Sequence, residues 1–199
     1  VAIVAASGGT RAVIAALIAN TGIAITKFIA YLLTGASSML AESVHSVADA
    51  GNQVLLLIGG RRATRKATAT HPFGYGRVRY VYAFVVSIVV FTVGGLFALD
   101  EAWHKYEEVH AGEPNQLLDS GWWWVPIAVL LVAMVMEGLS LRTAVLESNK
   151  LRGDTSWVSF VRRAKAPELP VILLEDIGAL LGLVFALIGV GMTLVTENG

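Results

Sequence analysis

The residues best equipped for chemistry in this chain lie inside long apolar runs. The stretch Met39–Gly60, MLAESVHSVADAGNQVLLLIGG, is long enough to cross a bilayer yet carries Glu42, His45 and Asp49. Positions 42, 45 and 49 are i, i+3 and i+7, so a helix places all three on one face. Each ionisable side chain at bilayer depth costs on the order of 3 kcal/mol or more, and such residues mark ion pathways and sites. A histidine one turn from a carboxylate suits a borderline divalent cation such as zinc. Zinc takes four ligands and one helix offers about two, so another helix must contribute.

The further candidates are Asn20, eight residues into the first apolar run, and the neighbours Glu175 and Asp176, one to two turns into the run that follows Pro170. At about 1.5 Å rise per residue, Asn20, Asp49 and Asp176 fall at comparable depths in normally tilted helices. His45, Asp49 and a carboxylate from the last run, with Asn20 or a water as the fourth ligand, would make a tetrahedral, oxygen-rich site that holds its ion loosely. Adjacent helical residues point about 100° apart, so Glu175 and Asp176 do not both face one ion. Asp176 is favoured as the ligand, with Glu175 second.

Other polar residues have structural readings. His45 by itself could serve as an interhelical hydrogen-bonding group. Lys27 and Glu42 fall at similar depth and are expected to form an ion pair, as structure or as an outer gate. Glu137 is expected to pair with Arg142 or the basic loop nearby, with a role in ion entry as the alternative. His71, in HPFGYGR, reads as part of a tight turn that starts a helix. His104 and His110 fall in an acidic connecting segment read as a solvated loop, with a weak cation-attracting surface as the alternative. Gly178 and Gly182, in GALLG, have the small-xxx-small spacing that lets helices approach closely.

These residues need a frame of helices to position them. Of 199 residues, 55% are hydrophobic, and the fifteen acidic and fifteen basic residues collect between long apolar runs. That pattern predicts an all-α, polytopic transmembrane bundle with spans near 12–33, 39–60, 80–99, 122–141 and 170–195. A transmembrane barrel would show alternating segments of about ten residues, which are absent here. The chain has no cysteine, which excludes a disulfide framework and a thiolate metal site. The first apolar run is too long for a cleavable signal peptide and lacks a processing site. The balanced charge gives no argument for nucleic acid. Trp122–Trp124 opens the fourth span, where an interfacial aromatic belt belongs.

The connecting segments alternate in charge. Arg11, the cluster Arg61, Arg62, Arg65, Lys66, Arg77 and Arg79, and the cluster Arg142, Lys150, Arg152, Arg162, Arg163 and Lys165 fall on one side. Lys105 stands alone on the other, among Asp100, Glu101, Glu107, Glu108, Glu113 and Asp119. The bias predicts a cytoplasmic N-terminus. Five spans then leave the C-terminus outside, which is expected of a piece of a longer protein. The segment Glu147–Glu168 is partly amphipathic, and reads either as a bilayer-surface element, with Trp157, Phe160 and Val161 in the interface, or as a solvated basic loop.

The chain resembles the cation diffusion facilitator family. The resemblance rests on GASSMLAESVHSVADAGNQ with its H-x-x-x-D pair, on HPFGYGRVRY after a basic loop, and on KAPELPVILLEDIGALLGL, and it covers essentially the whole chain. Together with ESNKLRGD these motifs are similar to the branch containing mitochondrial zinc exporters of animals and bacterial relatives. The resemblance implies a six-helix dimeric exporter, usually with a C-terminal cytoplasmic domain, that exchanges zinc, or manganese, iron, cobalt or cadmium, for protons. It implies a metal site between the second and fifth helices, with His45 and Asp49 matching the second-helix ligands and Asp176 a fifth-helix ligand. Where many members have histidine one turn before that aspartate, this chain has Ile172, and Glu175 stands beside Asp176. The donor set is then harder than a two-histidine site, which favours manganese more than such a site would.

The resulting expectation is a Zn²⁺/H⁺ antiporter without a resident cofactor, a non-enzyme in a bacterial inner membrane or an organelle membrane. Manganese or iron export by the same fold is the nearest alternative. A proton-coupled carrier of small organic molecules would need inverted repeats and a larger polar cavity, neither legible here. An intramembrane metalloprotease would need an H-E-x-x-H helix, which the chain lacks.

Overall fold

The computed structural model describes residues 2–34, 37–89, 92, 95–111, 124–165 and 167–196. These residues are overwhelmingly helical, and the β pairing among them is one isolated bridge between Thr68 and His71. The helices are α1 (Ala2–Thr34), α2 (Ser37–Ala63), α3 (Val78–Val89), α4 (Gly95–Ala111), α5 (Trp124–Arg152), α6 (Trp157–Arg163) and α7 (Glu168–Thr196).

Among the described residues three helical stretches are long and apolar enough to cross a membrane: Gly9–Leu33, Trp124–Arg152 and Glu168–Met192. The 27-residue α2 is long enough, at about 40 Å, but Glu42, His45, Asp49, Arg61 and Arg62 lower its hydropathy. The expected span 80–99 maps to α3, whose 12 residues reach only about 18 Å, and to the start of α4.

Helix α1 is the central strut. It packs along α2 on one side and α5 on the other, while α7 packs on α5 and α3 on α2. One core cluster joins Val13 and Ala16 of α1, Leu56 of α2, Val86 of α3, Ala144 of α5, Phe160 of α6 and Leu169, Ile172 and Leu173 of α7. A smaller one joins Ala30, Met39, Val125 and Val129 at the opposite end. The helix surfaces facing away carry large apolar side chains: Ile18 and Leu32 on α1, Val47 on α2, and Leu181, Phe185 and Met192 on α7 are all well exposed. Exposed apolar side chains at this density suit lipid as the surrounding solvent.

Local chemistry explains where the helices start and stop. Between α2 and α3, Thr68 and His71 exchange backbone hydrogen bonds, and Gly74 takes a φ of 74°, a value that favours glycine. The His71 ring stacks on Tyr75 at 4.4 Å, so HPFGYGR forms a folded turn before α3. Helix α5 runs on to Arg152 rather than ending near Leu141, and Gly153, with φ 56°, terminates it. Ser156 then caps α6 by accepting from the Ser159 N–H, so Glu147–Glu168 contains the end of one helix and a short second one in place of a continuous loop.

The acidic connecting segment also differs from expectation. His104 and His110 lie on α4, not in a loop. The sequence LFALDEAWHKYEEVHA has no helix breaker, and Asp100 and His104 pair at i, i+4, 3.8 Å apart. Glu113, Asp119, Trp122 and Trp123 lie outside the described residues.

Candidate metal centre

Helix α2 sends a polar stripe into the bundle. His45 Nε2 lies 3.7 Å from Asp49 Oδ2, one turn on, with both side chains part-exposed. One turn further, Gln53 is fully buried, and beside it Asn52 is buried as well. The Gln53 Nε2 group donates to Glu175 Oε2 of α7 at 2.9 Å. This bond crosses between two helices that pack on α1, α3 and α5 more than on each other, so long polar side chains span the gap.

The adjacent carboxylates of α7 diverge. Glu175 turns toward α2, whereas Asp176, fully buried, accepts a 2.8 Å hydrogen bond from Ser140 Oγ of α5. Ile172, one turn before Asp176, is also fully buried and packs in the apolar core, so that position offers no donor. Glu137, one turn before Ser140, points inward as well. It is 4% exposed, and its Oε2 has no partner. Arg142, its expected partner, is exposed, which leaves Glu137 in the interior rather than in a surface ion pair.

Helix α1 contributes Asn20, 4% exposed, and Lys27. Lys27 Nζ lies 2.9 Å from Glu42 Oε2 and donates to Ser46 Oγ at 3.5 Å. Ser43 Oγ donates to the Ala24 carbonyl at 3.0 Å, which pins α1 to α2 at this level.

These cross-helix bonds set the relative depths. Gln53 is level with Glu175, and Ser140 with Asp176. Asp49 is four residues from Gln53 and Glu137 three from Ser140, so both lie about 5 Å nearer the Trp124 end of α5 than Asp176. His45 lies about 6 Å further in the same direction. The polar interior is therefore layered, with His45 outermost, then Asp49 and Glu137, then Glu175 and Asp176. Among the described residues no three His, Asp or Glu side chains are drawn close enough together to hold a metal ion.

Ser140, Gln53 and the inward aim of Glu137 escaped the sequence reading. A signal existed for two of them: Gln53 extends the 45–49 stripe by one turn, and Ser140 follows Glu137 by one turn. Gly178 and Gly182 of α7 face open space, so their spacing marks no helix contact among the described residues.

An all-helical membrane protein with an acidic interior between three apolar helices is the class that this architecture defines. Within it, the chain belongs to the cation efflux family: residues 13–198 match the family's transmembrane domain. That places it among transporters rather than enzymes. The proton-coupled zinc antiporter SLC30A9, mitochondrial, of Homo sapiens is 32% identical over 194 residues, 96% of this chain and 33% of the relative. Metal tolerance protein C4 of Arabidopsis thaliana is 28% identical over 192 residues, 92% of this chain and 39% of the relative. Magnetosome protein MamM of Paramagnetospirillum magneticum is 30% identical over 96 residues, 45% of this chain and 30% of the relative. The chain thus spans about a third of the length of the curated relatives it matches.

Proposed function

We propose that this chain is the ion-handling core of a divalent metal exporter, with Zn²⁺ as substrate and protons as the counter-ion. The observation that carries the reading is the charge balance of the interior. Glu137 and Asp176 are buried there, Glu175 bonds the buried Gln53, and Asp49 lies one turn from Gln53, while the buried cation Lys27 lies on Glu42. Carboxylates in a low-dielectric interior call for a cation or protons, and the two alternate naturally on one set of ligands. The family match supports cation efflux, and the human relative is named a proton-coupled zinc antiporter.

In this reading His45, Asp49 and Asp176 bind the ion, Glu175 and Asn20 stand next in line, and the Lys27–Glu42 pair closes the layer beyond His45. The α2 and α7 layers move together to bind and apart to release, and protons arriving from the other side compete for the same groups. The chain crosses the bilayer five times with its N-terminus cytoplasmic, the third crossing formed by α3 with the start of α4, and it works as a homodimer. Manganese is the second substrate to test, because a site with one imidazole and several oxygens is harder than a two-histidine site.

The test is flux in proteoliposomes of the full-length protein, with Zn²⁺ and Mn²⁺ compared under an imposed pH gradient. Wild type should move metal only with the gradient, and Asp49→Ala should lose that flux. Gradient-independent flux, or flux intact in Asp49→Ala, would overturn the reading.

A further inference from the structure

The α2–α7 pair leaves the coordination sphere one donor short. His45 and Asp49 come from α2 and Asp176 from α7, but the α7 position that could add a fourth is Ile172, sealed in the apolar core with no exposure. Glu175, the other acid on α7, keeps Oε1 free, but its Oε2 is bonded to Gln53 of α2 and it lies on a different face of the helix from Asp176.

Asn20 of α1 is buried too but offers only a neutral amide, whereas helix α5 offers a carboxylate. Glu137 is 4% exposed, with Oε2 unpartnered, and it shares its depth with Asp49 by the register that the Ser140–Asp176 and Gln53–Glu175 bonds set together. Asp176 Oδ1 is likewise buried without a partner. Both groups thus hold a free carboxylate oxygen in one interior, linked through Ser140, which lies one turn from Glu137 and bonds Asp176. Buried oxygens of this kind are rare unless a ligand, an ion or water completes them. The basic groups nearby are committed elsewhere: Lys27 to Glu42 and Ser46, and Arg142 to the surface.

We infer that Glu137 is the fourth protein donor to the transported ion, a carboxylate from α5 that stands in for the donor Ile172 cannot supply. The inference rests on the exporter reading and adds a third helix to its site. Binding metal would then draw α5 toward α2 as well as α7 toward α2. It would also set selectivity, because a carboxylate in this place keeps the site hard, whereas an imidazole would soften it.

The experiment is equilibrium binding of Zn²⁺ and of Mn²⁺ to the purified full-length protein, with thermal melting of each variant to confirm folding. Asp49→Ala serves as the control for the site as a whole. Glu137→Gln, nearly isosteric, should weaken Zn²⁺ binding by at least about tenfold, the scale on which losing even a supporting group of a metal site is felt. Glu137→Asp should recover much of the loss, and Glu137→His should shift the preference toward Zn²⁺ over Mn²⁺. A structural role alone would lower the melting temperature and leave that preference unmoved. If Glu137→Gln binds both ions as wild type does while Asp49→Ala does not, Glu137 is not a ligand and only this inference falls. If wild type binds neither ion, the exporter reading falls, and this inference falls with it.

Discussion

Ser140 holds Asp176 by a bond that both groups need. Its hydroxyl is the donor to Asp176 Oδ2, and Oδ1 has no partner at all. Ser140→Ala would leave a buried aspartate without a hydrogen bond, a loss of about 1–3 kcal/mol. It would also free the carboxylate to leave the position that the proposed ion site requires. The expected outcome is a lower melting temperature together with a raised KM for metal flux, and an unchanged KM would show that Asp176 is held by other means. Gln53 acts likewise on Glu175, since its side-chain amide is the group that spans from α2 to α7. The spacing put each of these residues on a polar helix face, but the group it would meet was hidden in the sequence, in both cases for the same reason. A serine or glutamine in a helix declares its capacity to hydrogen-bond but not the helix it will face, whereas a histidine and an aspartate one turn apart declare a shared face at once.

The helices approach closely where glycine allows it, and the approaches differ in tolerance. A Cβ added at Gly59 of α2 would sit 2.5 Å from Tyr82 Cβ and 2.7 Å from its Cγ, atoms that cannot move without shifting α3. A Cβ added at Gly22 of α1 would instead meet the flexible end of Met136 on α5, which can rotate away. Gly59→Ala should therefore be the more destabilising, by about 1–3 kcal/mol as for other overpacked contacts, and Gly22→Ala close to neutral. Thermal melting in detergent compares them directly. A milder Gly59→Ala would mean that α3 does not lean on α2 as the structure places it. Element ends were partly legible in the chain. The turn at HPFGYGR was legible from its proline and glycines, whereas the caps at Gly153 and Ser156 appear only in the structure. The length of α5 and the helical state of Gly95–Ala111 did not show, because charge marks a segment as polar without deciding whether it coils or folds.

At the scale of the whole molecule, the orientation proposed from charge can be tested cleanly, because the chain contains no cysteine. Thr70→Cys, in the basic turn before α3, and His104→Cys, on the exposed face of α4, should react with a membrane-impermeant maleimide from opposite sides of sealed vesicles. The Thr70 position should be protected in right-side-out vesicles and the His104 position labelled. Labelling of both from one side would remove the crossing assigned to α3 and α4.

The sequence alone determined the helical class, the approximate helices and the identities of the polar residues in the apolar runs, since hydropathy, charge and turn chemistry are local properties. The imidazole and carboxylate donors on one helix face also pointed to a divalent metal as the ion proposed above, because such donors state their own preference. Tertiary structure alone decided that Glu175 faces α2 while Asp176 faces α5, that Ile172 is sealed in the core, and that Glu137 turns inward rather than to Arg142. Those facts depend on the rotation of each helix about its axis and on its register against its neighbours. Close contacts such as Gly59 with Tyr82 and cross-helix bonds such as Ser140 with Asp176 fix both, and they join residues far apart in the chain.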